Sequence, residues 1–221
     1  MEGKNRFSTF SAAKGIASIF GALAGLGGLV HGVGETLQGN VAPSGIAINS
    51  WTVGPIATNM GGEPAMTIVP NLLVTGILTI IVSLAVIVWS VAFVQRKNGG
   101  LILLLLSIAM LLVGGGFAPP VIGVLASVSG LGINSPHNWW RTHLPVNVRR
   151  VLAQVWPWVF GVCVINGVFL VVGSIILVYA FGLNNPDLFV NGFFFAIISV
   201  LLSIFTGIAY DIQNNKQVAG S

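Results

Sequence analysis

The amino-acid sequence predicts an all-α, multi-pass integral membrane protein, and three observations carry that prediction. The chain of 221 residues is 55% hydrophobic and only 6% charged, with a mean hydropathy of +0.94. A water-soluble domain uses roughly 25% charged residues to face solvent. Several apolar runs reach or exceed the ~20 residues that a helix needs to cross a hydrocarbon core about 30 Å thick. Finally, all nine Lys and Arg residues can be placed on one side of a bilayer. One membrane domain, 1–221, holds all of these segments.

The first segment covers 15–36. Lys4, Arg6 and Lys14 precede it in the manner of a signal peptide. It lacks a small-residue cleavage site of the usual form and runs on to Thr36, so it is read as a retained span. Its Gly21, Gly25, Gly28 and Gly32 share one helix face, where a neighbouring backbone can approach closely. The 37–66 loop carries Pro43, Pro55 and Pro64, yet also Ile46, Ile48, Trp51, Val53 and Ile56. That is too apolar for a freely solvated loop, so it is expected to cover the helix ends.

A second span, 68–94, ends at Gln95-Arg96-Lys97-Asn98. The 33 residues of 101–133 would extend about 50 Å as one helix, well beyond the core. Gly114-Gly115-Gly116 and Pro119-Pro120 interrupt them, and such residues kink a helix or turn the chain. Charge decides between the two. One crossing leaves Lys and Arg divided five to four across the membrane, whereas two segments, 101–117 and a short or re-entrant 120–133, put all nine on one side. The positive-inside bias favours the second arrangement. With spans at 151–181 and 188–210, this makes about six segments with both termini cytoplasmic, in a plasma (inner) membrane.

The 134–150 stretch is then interfacial on the cytoplasmic side. Trp139 and Trp140 suit the headgroup level, and Arg141, Arg149 and Arg150 suit anionic lipid headgroups. The net charge of +4 and isoelectric point near 9.7 come from this topology. Without a basic stripe they do not indicate nucleic acid. Cys163 is the single cysteine, which excludes an intrachain disulfide.

No phosphate-cradling loop, HExxH, GxSxG or CxxC pattern is present. No catalytic set is assigned, and neither a cofactor nor a metal is specified. Serines within the spans and Asn166 are expected to bond helix backbone or a neighbouring helix. His137 and His143 are read as solvated or headgroup-facing. On the side away from the lysines and arginines stand Glu35, Glu63 and Asp187. His31 and Glu35 lie one helical turn apart on one face.

Two readings follow for the candidate binding residues His31, Glu35 and Glu63. They form a polar helix end, or they line an outward-facing cavity closed by the 37–66 loop. The cavity implies binding or transport of a small cation, proton or amphiphile. The polar helix end implies a non-catalytic scaffold or accessory subunit, packed as a homo-oligomer or in a larger complex. An intramembrane enzyme using His31 with Glu35 or Glu63 has the least support.

Overall fold

A computed structural model describes residues 11–133 and 135–219, with side chains as far as residue 214. Lys4, Arg6 and the side chain of Lys216 therefore lie outside the described residues. The fold is all-α: α1 (Ala12–Leu37), α2 (Pro55–Asn59), α3 (Leu72–Val88), α4 (Gly99–Leu112), α5 (Ala118–Gly132), α6 (Asn138–His143), α7 (Val146–Val168), α8 (Ser174–Phe181) and α9 (Pro186–Ala219). Two short strands, β1 (Ala47–Asn49) and β2 (Pro64–Met66), pair antiparallel within the 37–66 loop. Among the described residues, four helical stretches are long and apolar enough to cross a membrane: Ala12–Leu37, Leu72–Phe93, Val146–Phe181 and Pro186–Asn214. Two of these pass through a π-helical turn, at Trp89–Phe93 and at Phe169–Gly173.

Helix α1 is the centre of the bundle, in contact with α3, α5, α7 and α9. Its glycine face packs on α3. A Cβ at Gly25 would lie 2.5 Å from Ile87 Cγ1 and 2.7 Å from the Ser83 carbonyl, and one at Gly32 would lie 2.9 Å from Ile80 Cγ1. Gly76 on α3 does the same in return: a Cβ there would lie 2.6 Å from the Gly32 carbonyl. The two backbones touch because neither presents a side chain there. Residue order along the contact, Gly21 with Ser90 and Gly32 with Gly76, makes the helices antiparallel.

The chain turns between α4 and α5. The turn is Val113–Phe117, with Gly114 at φ +112° and Gly116 at φ +79°. These are backbone conformations that glycine adopts without a Cβ penalty. Pro119 and Pro120 lie just beyond it, in the first turn of α5, where a missing N–H costs no intrahelical bond. Gly100 lies against Gly130 and Leu131, and Ser107 against Gly123, so α4 and α5 run antiparallel in close contact. By the rise of an α-helix each is only about 21–23 Å long, shorter than a full hydrocarbon core.

Helices α7 and α9 also run antiparallel. Asn166 Nδ2 donates to the Gly192 carbonyl (3.0 Å) and Ser199 to Cys163 Sγ (3.3 Å). Ser107, Ser174 and Thr206 donate to carbonyls one turn back on their own helices. At the start of α1, Asp211 of α9 accepts from the backbone N–H groups of Ala12 (2.7 Å) and Ala13 (3.0 Å) and from the Ser11 hydroxyl (3.0 Å). It satisfies donors that a helix start cannot pair within itself. The amino end of α1 and the Asp211 region of α9 therefore share one end of the bundle. His31 and Glu35 stand at the other, beside the α4–α5 turn.

Gly25→Ala is expected to destabilise the protein by about 1–3 kcal/mol, the usual scale for overpacking. Gly45, with open space around it and an ordinary backbone, serves as the control. Thermal denaturation in detergent should show a lowered midpoint for Gly25→Ala and an unchanged one for Gly45→Ala.

Candidate functional site

The cluster is built on the last two turns of α1. The i, i+4 spacing puts His31 and Glu35 on the same face, where they are 3% and 0% exposed. They do not bond each other directly. Ser50, fully buried and just past β1, joins them: its hydroxyl donates to Glu35 Oε1 (2.9 Å) and lies 2.8 Å from His31 Nδ1. The other carboxylate oxygen, Oε2, is 3.2 Å from Thr79 Oγ1 on α3. Thr79 also stands 2.5 Å from the Val113 carbonyl at the end of α4, and its single hydroxyl proton serves one of these acceptors at a time.

On its far side the imidazole meets Glu63, with Nε2 3.2 Å from Oε2. This is the only ion-pair contact among the described residues. The Ser50 hydroxyl has one proton to give: with it on Glu35, His31 Nδ1 donates to Ser50, and with it on Nδ1, a protonated Glu35 does.

Local sequence explains how the loop reaches this place. Ser50 N–H donates to the Glu63 carbonyl (3.1 Å) and Trp51 N–H to the Gly62 carbonyl (2.9 Å), extending the β1–β2 pairing. Gly61, Gly62 and Glu63 all have positive φ (74°, 79° and 55°). A non-glycine residue there is uncommon, and such conformations gather where surrounding structure fixes them for a purpose. The Trp51 indole donates to the Val30 carbonyl (3.2 Å), and a Cβ at Gly34 would lie 2.6 Å from that indole nitrogen. Gly34 is thus the opening in α1 through which the loop seats. A Cβ at Gly114 would collide with the Glu35 carboxylate, and one at Gly116 with the His31 ring. The glycine run of the α4–α5 turn wraps the pair.

His31 and Glu63 also form the polar end of a cavity of about 350 Å³, within the range of small-molecule sites. Its body is apolar, with Phe20, Leu23 and Ala24 of α1, Leu170 and Val171 of the π-helical turn, and Phe193 of α9 among its walls. Ile56 and Met60, at and just after α2, cover it from the loop side. Half-exposed Phe117, Val190 and Phe194 stand at its rim, so the space is a cleft rather than a sealed void.

The structure thus brings His31, Glu35 and Glu63 into one cluster and adds Ser50 and Thr79, which the sequence did not single out. Asp187 is exposed and is not part of the network. At the opposite end, Trp139, Arg141 and Arg150 are exposed, and Trp140 packs edge-on to Phe205 of α9. Arg149 departs from the expectation of a headgroup-facing side chain. It is 2% exposed, its Nη1 reaches the Arg141 carbonyl at 3.5 Å, and its Nε has no hydrogen-bond partner among the described residues. The reason is that α7 begins at Val146, not near 151, so Arg149 lies in a helical turn that packs inward. The 134–150 segment is correspondingly helical in part, containing α6. His143 stacks on Trp139, while burial pulls His137 below the usual imidazole range, with Asp211 opposing. Among the described residues no group of three His, Cys, Asp or Glu side chains could hold a metal ion.

Comparison of the chain with protein-family models, with curated proteins and with solved structures gives no match.

Removing the bridge tests the cluster as a unit. Ser50→Ala leaves His31 Nδ1 and Glu35 Oε1 buried without their partner, a loss on the order of 1–3 kcal/mol. The thermal midpoint should fall for Ser50→Ala and stay unchanged for Ser135→Ala, an exposed serine outside the cluster.

Proposed function

We propose that this protein is a membrane-embedded binding protein for an amphiphile, whose apolar body occupies the cleft between α1, the α7–α8 rod and α9. The carrying observation is an apolar cavity of about 350 Å³ that ends in one polar pair, His31 and Glu63. A small hydrated cation or a proton needs a polar path through the bilayer, and the cleft walls supply none. An amphiphile matches both the apolar walls and the polar end. The irregular α4–α5 turn and the π-helical turn at Phe169–Gly173 border this space, which is where broken helices are tolerated in membranes.

In this reading six helical passes cross or enter the membrane, and both termini are cytoplasmic in a plasma (inner) membrane. The support is charge. Lys14, Arg96, Lys97, Arg141 and Arg150 are exposed toward the Asp211 end of the bundle, and no Lys or Arg occurs in 15–95, 98–140 or 151–215. The cleft mouth then faces outward. Single cysteines at Ser135 and Val53, in a Cys163→Ala background, test this. An impermeant thiol reagent applied to intact cells should label position 53 and leave 135 untouched, and labelling of 135 alone would reverse the orientation.

Filling the cleft tests the binding. Val171→Trp places a large ring in it from the π-helical turn. The amphiphile co-purifying with the protein, measured by mass spectrometry of an organic extract, should fall by roughly tenfold, the equivalent of about 1.4 kcal/mol. Unchanged recovery from a folded Val171→Trp protein would leave the scaffold reading as the better account.

A further inference from the structure

We infer that the amphiphile taken by this cleft is cationic, with an ammonium head at Glu63. The inference rests on the binding reading above and concerns what the polar end of the cleft selects.

Three features of that end decide the charge. The first is the balance of ionisable groups. Among the described residues His31 is the only side chain there able to carry positive charge, against the carboxyls of Glu63 and, one hydroxyl behind, Glu35. The elements that build the mouth lie within stretches without Lys or Arg. An anionic head would enter beside the Glu63 carboxyl with no guanidinium or ammonium to pair with, which is costly where water is scarce.

The second is the state of the helix starts at the mouth. Helix N-termini are ready anion sites because their first N–H groups are unpaired. Here those donors are largely missing or already engaged. Helix α5 has Pro119 and Pro120 in its first turn, neither with an N–H. Helix α9 opens with Pro186, and its Leu188 N–H bonds Asn185 through both the carbonyl (3.1 Å) and the side-chain oxygen (3.2 Å). Ala118, Pro119 and Pro186 line the cleft, so these two helix starts are the ones an anion would have used.

The third is the contact between His31 Nε2 and the Glu63 carboxylate (3.2 Å). A head group arriving there has to present positive charge or donors to the Glu63 carboxylate in its place. An ammonium brings both. Glu63 is suited to the exchange: its side chain is 27% exposed, whereas that of His31 is 3% exposed. The positive-φ turn at Gly61–Glu63 holds the carboxylate against the ring's Nε2 and at the edge of the apolar walls.

Matched dodecyl probes separate this inference from the reading beneath it. Equilibrium binding of dodecylammonium, dodecanol and dodecyl sulfate is measured on the wild-type protein in discs of electrically neutral lipid. The Val171→Trp protein supplies the background from partition into lipid. Dodecylammonium is expected to bind roughly tenfold more tightly than dodecyl sulfate. Glu63→Gln should bring its affinity down to that of dodecanol, whereas Asp187→Asn, at an exposed acid, should keep the preference. Equal affinities for the three probes, or a preference for the sulfate, overturn the cationic assignment and leave the cleft as a binding site. Binding no better than the Val171→Trp background for every probe overturns both. The wild-type ranking decides the matter even if Glu63→Gln does not fold.

Discussion

The structure depends on how closely its neighbours approach α1. Three separate surfaces of that helix are stripped of side chains, and each admits a different neighbour. Gly21, Gly25, Gly28 and Gly32 admit α3, Gly27 admits Pro119 of α5, and Gly34 admits the backbone of Ser50 and the indole of Trp51. Between apolar helices in lipid, water expulsion supplies no force, so van der Waals contact and interhelical hydrogen bonds must hold the bundle. Close approach is what makes both available. It brings Ser83 and Thr79 of α3 to the α1 surface, and Thr79 then reaches Glu35.

The same constraint positions the chemistry. The His31–Glu35 face cannot be sealed by α3 alone, because it looks toward the helix ends. The 37–66 loop and the α4–α5 turn seal it from two directions, and both use glycine to do so. The Thr67–Val113 bridge and the Ile68 N–H to Leu112 carbonyl bond (3.0 Å) tie the loop to the end of α4. Loop, turn and central helix are consequently one structural unit. A ligand that displaced Glu63 from His31 would act on a hydrogen-bond chain running through Ser50 and Glu35 to Thr79.

Much of this was legible in the sequence, and what was not has physical reasons. The all-helical membrane character follows from hydropathy. The reversal inside 101–133 follows from three glycines and two prolines, and the contact face of α1 from glycine spacing. His31 and Glu35 stand out because an i, i+4 polar pair is rare in so apolar a chain. Ser50 gives no such signal. Its place depends on the pairing of β1 with β2 and on three consecutive positive-φ residues, a register that a sequence read alone does not supply. Thr79 looks like any helix-bonding hydroxyl until α1 and α3 are docked. The cleft is less legible still, since its walls come from six helices, α1, α2, α5, α7, α8 and α9, and any one of them reads as ordinary lipid-facing or core sequence. Arg149 was misplaced for a simpler reason: a start for α7 five residues earlier than expected turns a basic surface position inward.

The clasp between Asp211 and the amino end of α1 bears on the order in which the protein is completed. A chain made from its amino end threads α1 first and α9 last, and Asp211 stands 199 residues after Ala12, the first helical residue whose N–H it accepts. Until Asp211 is made, the opening turn of the central helix is therefore short of the carboxylate that accepts its N–H groups in the folded protein. Of the described helices, the first in the chain is finished by the last. The contact joins elements far apart in the chain, and a chain released before Asp211 would leave those two N–H groups to water.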